Sequence, residues 1–148
     1  MSNLDAVTFE TTCLVRDTCL CLHLQRAARA VARRFDAAFR AFGLTNGQFS
    51  LLMSLNRPEP ANMRGVADLL AMDRTTLTAA LKPLERRGLV TVAIDPDDRR
   101  GRRLTLTPAG RELLASAVPV WLREHAAIDA QFNPDGPERL RADLRALA

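Results

Sequence analysis

Two helix signatures with almost nothing between them constrain this chain most. Asn62 stands before MRGVADLLA, and Asp73 stands before RTTLTAALKPLERR, which Gly88 closes. Asn and Asp suit N-cap positions because their side-chain oxygens accept unpaired amides of the first turn. Glycine suits the C′ position because the chain often turns left-handed there. The link is only Ala71-Met72-Asp73, so the pair is a helix-turn-helix candidate. Met63, Val66, Ala67 and Leu70 share one side of the first helix, and Leu77, Leu81 and Leu84 share one face of the second. These apolar faces should be core. Pro83 removes a backbone donor, which predicts a bend or a weakened last turn.

A β-hairpin pattern follows. Leu89 to Ile94 alternates through Val90, Val92 and Ile94, Arg103 to Leu106 alternates likewise, and the polar run Asp95 to Arg102 connects them. A helix-turn-helix followed at once by a hairpin is the plan of a winged-helix DNA-binding domain, whose second helix enters the major groove with its N-terminal half. On that helix Arg74 can read guanine as a bidentate donor. Thr75, Thr76 and Thr78 can reach bases or phosphates, and Lys82 suits a phosphate. The positive end of the helix dipole favours the same backbone. An Arg- and Thr-rich surface is ordinary solvated surface when it stands alone. Its position beside an arginine-rich hairpin is what points to duplex DNA.

The flanks read as helices. From Leu20 to Phe42 the apolar residues Leu24, Ala28, Val31, Phe35, Ala38, Phe39 and Phe42 recur at helical steps, and Gly43 follows as C′. Thr45 to Gln48 forms a capping-box pattern. It opens a helix, QFSLLMSLN, apolar almost all round and so expected to be buried, which stops at Arg57-Pro58-Glu59-Pro60. Thr107-Pro108 starts a long helix with a bend expected near Pro119. Asn133 to Pro137 breaks it before a final amphipathic helix. The fold class is therefore mainly α with a small β-hairpin wing (α+β), a winged helix-turn-helix over 45–110 between flanking helices at 18–44 and 111–148. Leu113, Val118, Val120, Trp121, Leu122, Leu140, Leu144 and Leu147 give the outer helices more apolar surface than one small core requires. That excess predicts a homodimer, and a two-fold dimer predicts a palindromic operator.

Composition narrows the alternatives. At 148 residues and a net charge of +4, the chain is one domain in size, and its basic excess is too mild to decide anything alone. The start, MSNLDAVTFETTCLVRD, lacks the pattern of a secretory leader, and no apolar run approaches a membrane span. Cys13, Cys19 and Cys21 cluster without a distant partner, which suits a reducing cytoplasm. Two histidines, no glycine-rich phosphate loop and no nucleophile-base spacing argue against an enzyme. In Cys19-x-Cys21-x-His23 the first and last share a helix face while Cys21 points away, so the trio cannot close a tetrahedral metal site by itself, and nothing in the spacing demands His125 as a further ligand. No cofactor is expected.

Two stretches, ADLLAMDRTTLTAALKPLERRGLV from Ala67 and DPDDRRGRRLTLTPAG from Asp95, together resemble the MarR family of bacterial transcriptional regulators. The second is similar to that family's wing signature, Asp-x-Arg followed by Leu-x-Leu-Thr and Thr-x-x-Gly, with Asp98-Arg99-Arg100 supplying the first part. The resemblance spans roughly residues 18 to 148. It implies that Arg100 enters the minor groove, that Arg99 and Arg102 meet phosphates, and that Asp98 orients the wing through ion pairing. Arg103 is left without a definite role. It also implies a repressor whose dimerisation helices are those at 18–44 and 111–148, released from its operator by a small anionic or phenolic effector bound near His23, Arg26, Phe49 and Met53.

The alternative is a thiol-based regulator. Asp17 or Thr18 capping the first long helix would put Cys21 in its first turn, where a helix N-terminus favours the thiolate that peroxide sensing needs. By position, Cys21 is similar to the reactive cysteine of the organic-hydroperoxide-sensing branch. That branch supports its cysteine with tyrosines; this chain has none, and the matching positions are Gln25 and Phe35.

Overall fold

The computed structural model describes residues 7–148; the first six, part of the stretch read above as lacking a leader, lie outside the described residues. The elements run α1 (Phe9–Thr18), α2 (Leu20–Ala38), a 3₁₀ turn (Arg40–Phe42), α3 (Asn46–Leu55), β1 (Ala61–Asn62), α4 (Met63–Leu70), α5 (Arg74–Arg86), β2 (Val90–Ile94), β3 (Arg102–Leu106), α6 (Pro108–Asp129) and α7 (Gly136–Leu147). Two compact units meet between Arg34 and Phe35, inside α2. Among the described residues no helix is long and apolar enough to cross a membrane.

The first unit corrects the sequence reading. Helix α1 was not expected, because FETTCLVRDT carries no apolar stripe, and none of its residues is buried. Thr8 caps it, accepting the Thr11 amide at 3.2 Å. Asp17 and Thr18 therefore lie in the last turn of α1 rather than capping α2. Cys19, in extended conformation, separates the two helices, and its sulfur receives the Leu22 amide at 3.5 Å. Leu20 and Val31 stay exposed at 57% and 41%.

The second unit holds the core. Helix α2 contributes Phe35 and stops at Ala38; buried Phe39 follows it at the cap of the 3₁₀ turn, so the helix does not run on to Phe42. Gly43 then takes φ +64°, the left-handed conformation expected of it. Thr45 and Gln48 form the capping box, with Thr45 accepting the Gln48 amide at 3.1 Å and Gln48 accepting the Thr45 amide at 3.0 Å. Phe49, Leu51, Leu52 and Leu55 of α3 are buried, while Met53 is not. Asp36 accepts the Asn46 amide at 2.7 Å and its side-chain amide at 2.9 Å. These donors, the backbone one foremost, hold the Asp36 carboxyl below the usual carboxylate range.

Five rings close on one another around α6. Phe35 meets Phe39 (5.7 Å between centroids), Phe39 meets Phe49 (4.5 Å), Phe49 meets Trp121 (6.5 Å), Trp121 meets His125 (4.7 Å), and His125 meets Phe35 (6.4 Å). Contacts of this kind exceed the value of area burial alone by roughly 0.5–1.5 kcal/mol per pair.

The sheet has three antiparallel strands in the order β1-β3-β2. The hairpin pairs Val90 with Leu106 and Ile94 with Arg102, so β3 starts one residue earlier than the alternation suggested. Strand β1 was not expected: its two residues pair Ala61 with Leu104 and Asn62 with Arg103. Neither proline breaks its helix; α5 runs past Pro83 and α6 past Pro119. The last turn of α5 forms, with the Arg87 amide donating to the Pro83 carbonyl at 3.1 Å.

Candidate nucleic-acid interface

Helix α5 is fixed at both ends. Asp73 accepts the Thr76 amide at 2.7 Å and its hydroxyl at 2.8 Å, and these two bonds, the amide first, hold its carboxyl below the usual range. At the other end the Gly88 amide reaches Glu85 (2.9 Å) and the Leu89 amide reaches Leu84 (3.0 Å), a Schellman closure around Gly88 at φ +72°. Arg87 then donates to the carbonyls of Gly43 at 2.7 Å and Phe42 at 3.2 Å. Leu77, Leu81 and Leu84 are buried as predicted. Arg74, Thr75, Thr76, Thr78 and Lys82 are all exposed. The Thr78 hydroxyl donates to the Arg74 carbonyl at 2.8 Å, so Thr76 and Thr78 both spend their hydroxyl protons within the protein. The tight turn before α5 uses Ala71 at φ 51°, ψ 42°, the one non-glycine with positive φ among the described residues.

The wing sorts its arginines by partner. Arg103 is held by Asp95 at 3.2 Å and Asp97 at 3.0 Å. Arg102 is half-buried and donates from Nη1 to the carbonyls of Arg99 at 3.2 Å and Gly101 at 2.9 Å. Arg99 and Arg100 are exposed, and neither has a carboxylate within ion-pair reach among the described residues. Asp98 orients the tip by a different contact from the one expected. Its Oδ1 accepts the Arg100 backbone amide at 3.0 Å, an Asx-type turn rather than an ion pair. Arg74 closes the arrangement, donating from Nη2 to the Arg100 carbonyl at 2.9 Å. Helix α5 and the wing tip are thus bonded directly, which sequence spacing gave no way to foresee. A groove of about 670 Å³ opens beside that bond, with Arg64, Asp68 and Met72 among its walls.

The candidate sensing residues do not form one site. Phe49 and Met53 line an apolar groove of about 440 Å³ with Leu69, Val118, Trp121 and Leu122, and its only polar walls besides the indole are Ser50 and Ser54. His23 and Arg26 line a different groove, of about 530 Å³, with Arg29 and Arg33 on α2. Cys21 is exposed in the first turn of α2, and Gln25 donates from Nε2 to its sulfur at 3.1 Å. The His23 ring instead pairs with the Cys19 carbonyl at 2.8 Å, and no His, Cys, Asp and Glu grouping fit for a metal occurs among the described residues.

A profile described as the MarR family matches residues 44–101, the span from Leu44 through the wing tip. A solved complex of the Mycobacterium tuberculosis transcriptional regulator MosR with DNA is 37% identical, covers 87% of this chain and 92% of its own, and superposes with a TM-score of 0.78. The chain belongs to the MarR family. Two further members frame it. The transcriptional repressor CouR bound to a 23-mer DNA duplex is 31% identical over 86% of this chain and 91% of its own, with a TM-score of 0.78. CouR from Rhodococcus jostii has also been solved with p-coumaroyl-CoA, at 26% identity, 88% and 92% coverage and a TM-score of 0.77. The transcriptional activatory protein BadR of Rhodopseudomonas palustris is 37% identical over 97 residues, 64% of this chain and 55% of BadR. The chain spans 55% to 64% of the first curated relatives it matches. Its winged-helix architecture is that of the family.

Proposed function

We propose that this MarR-family chain is a sequence-specific DNA-binding transcriptional repressor that acts in the cytoplasm as a homodimer on a palindromic operator. The observation that carries the reading is the shared exposed surface of α5 and the wing, where Arg74, Thr75, Thr76, Thr78 and Lys82 stand beside Arg99, Arg100 and Arg102 and are joined by the Arg74 to Arg100 bond. In this reading Thr75, Thr76, Thr78 and Lys82 of α5 meet the major groove, Arg74 stands at its edge bonded to the wing, Arg100 enters the minor groove, Arg99 meets phosphate, and Arg102 and Asp98 hold the tip. MosR and CouR, which match along most of the chain, were both solved on DNA. Repression follows CouR, matched over 86% of this chain, rather than BadR, matched over 64%. Selection of bound duplexes from a random pool tests it. Enrichment of an inverted repeat with half-sites about one helical turn apart is expected, and absence of any duplex preferred over random sequence would end the reading.

The groove at Phe49 and Met53 favours an effector with an uncharged aromatic face. Its walls carry no ionised group, and burying a charge there without a partner is costly. A phenolic ring against Trp121, its hydroxyl toward Ser50 or Ser54, fits that chemistry, and the CouR complex with a coumaroyl thioester is in keeping with it. The arginines of the α2 groove suit an anion instead.

A second reading rests on Cys21. Its exposure in a first helical turn, with Gln25 donating to its sulfur in the absence of any tyrosine, favours a thiol that peroxide can reach. Peroxide titration of DNA binding in wild type and Cys21→Ser separates the two: loss of the response in the variant supports thiol sensing, and identical responses dismiss it.

A further inference from the structure

The carbonyls of three consecutive residues at the wing tip, Arg99, Arg100 and Gly101, each accept a bond from an arginine side chain. Arg102 covers the first and third, at 3.2 and 2.9 Å, and Arg74 covers the middle one at 2.9 Å. Arg102 is a neighbour in sequence, whereas Arg74 arrives from 26 residues away, at the first position of α5. The base of that side chain is itself set by the Asp73 cap. We propose that Arg74 is a positioning residue for the wing, setting the separation between the N-terminus of α5 and the backbone of Arg100, rather than an independent reader of a base. This rests on the DNA-binding reading above.

Three features carry it. The bond goes to the main chain of Arg100, so it fixes the tip while leaving the Arg100 side chain free. Other bonds of the tip are local, among them Asp98 to the Arg100 amide at 3.0 Å, the Asp97 amide to Asp95 Oδ1 at 2.9 Å, the Gly101 amide to the Asp98 carbonyl at 2.8 Å, and the Asp95 amide to the Gly101 carbonyl at 3.2 Å. They shape the loop, but none of them reaches α5. Finally, arginines capping the carbonyls counter partial negative charge that would otherwise approach the phosphates. A two-element reader gains specificity only if its elements keep a fixed spacing, because the major and minor grooves they enter are themselves fixed relative to each other.

The test has two arms. In the free protein, amide hydrogen exchange at residues 99–101 is compared in wild type, Arg74→Ala and Lys82→Ala. Arg74→Ala should speed exchange about five-fold, the factor one ordinary net hydrogen bond supplies, and Lys82→Ala should not. On the selected duplex, Arg74→Ala, Arg100→Ala and the double variant form a cycle. The double variant should lose at least about two-fold less affinity than the product of the single losses. Hydroxyl-radical protection of the minor groove under the wing should fade in Arg74→Ala although Arg100 is intact. Unchanged exchange would overturn the proposal, as would losses that simply multiply with protection intact. The exchange arm needs no DNA, so a wild type that bound no duplex would sink the function proposed above while exchange still decided the role of Arg74.

Discussion

The Thr107 hydroxyl donates to the Gly88 carbonyl at 2.7 Å and also accepts the Gly110 amide at 3.0 Å. One side chain thus ties the left-handed end of α5 to the first turn of α6. The Thr107 amide adds a third link, to the Leu89 carbonyl at 3.1 Å.

That junction leaves no room at Gly110. A Cβ there would sit 2.2 Å from the Leu89 carbonyl oxygen and 2.9 Å from Leu106 Cδ1. Gly110→Ala should therefore cost about 3 kcal/mol and lower Tm by roughly 6–12 °C, read by thermal unfolding followed by circular dichroism.

Ala71 offers the opposite case. It holds the helix-turn-helix bend at φ 51°, where a β-carbon is unfavourable. Ala71→Gly should raise stability by about 0.5–1 kcal/mol in chemical denaturation, since relief of strain outweighs the added freedom of the unfolded chain. A loss of stability would mean that the methyl group packs usefully in the bend.

Asp73 predicts a pH dependence. Its folded pKa is depressed by the Thr76 amide and hydroxyl, so its contribution is complete above the ordinary carboxylate range and is lost as pH falls through the folded value. Asp73→Asn removes the titration. The stability gap between wild type and variant, measured from about pH 7 to about pH 3, should narrow toward the acid end. A gap independent of pH would show that the charge contributes nothing.

Arg99 and Arg103 should separate under salt. Arg99→Ala removes a phosphate contact in the proposed interface, so it should weaken binding to all duplexes alike and reduce the salt slope by about 1. Arg103→Ala frees Asp95 and Asp97 and should weaken binding by repulsion while leaving the slope near that of wild type. Titrations across a salt series distinguish the two. Equal slope changes would mean that the Arg103 ion pairs open on DNA.

The outer helices leave Val31 exposed at 41%, Leu144 at 38% and Leu147 at 60%. If these faces join two copies, Val31→Glu and Leu144→Glu should each raise the dimer dissociation constant at least about ten-fold, a difference of 1.4 kcal/mol. Light scattering across a dilution series reads the change.

Much of the winged unit was legible because its boundaries are chemical. Thr45, Asn62, Asp73 and Thr107 each accept the amide three residues on, and that choice of residue is local. The buried stripe of α5 was legible for the same reason. Strand β1 was not, because two residues carry no periodicity and Ala61 becomes a strand only when Leu104 arrives beside it. Helix α1 lacked a buried face to advertise it. The roles of the wing arginines were hidden too. Charge is visible in a sequence, but whether a guanidinium is spent on Asp95, on a tip carbonyl or on nothing depends on folded geometry.

Four arginines against three aspartates leave the loop from Asp95 to Arg103 with one net positive charge. Non-specific adhesion to DNA scales with the number of phosphates neutralised, so in the proposed interface a tip of this kind would add little to binding of arbitrary sequence. Release from wrong sites in that interface is expected to be fast, and occupancy weighted toward places where the groove shape suits the wing. In this proposal the three aspartates, two of them paired with Arg103, would thereby act as a brake on indiscriminate attachment.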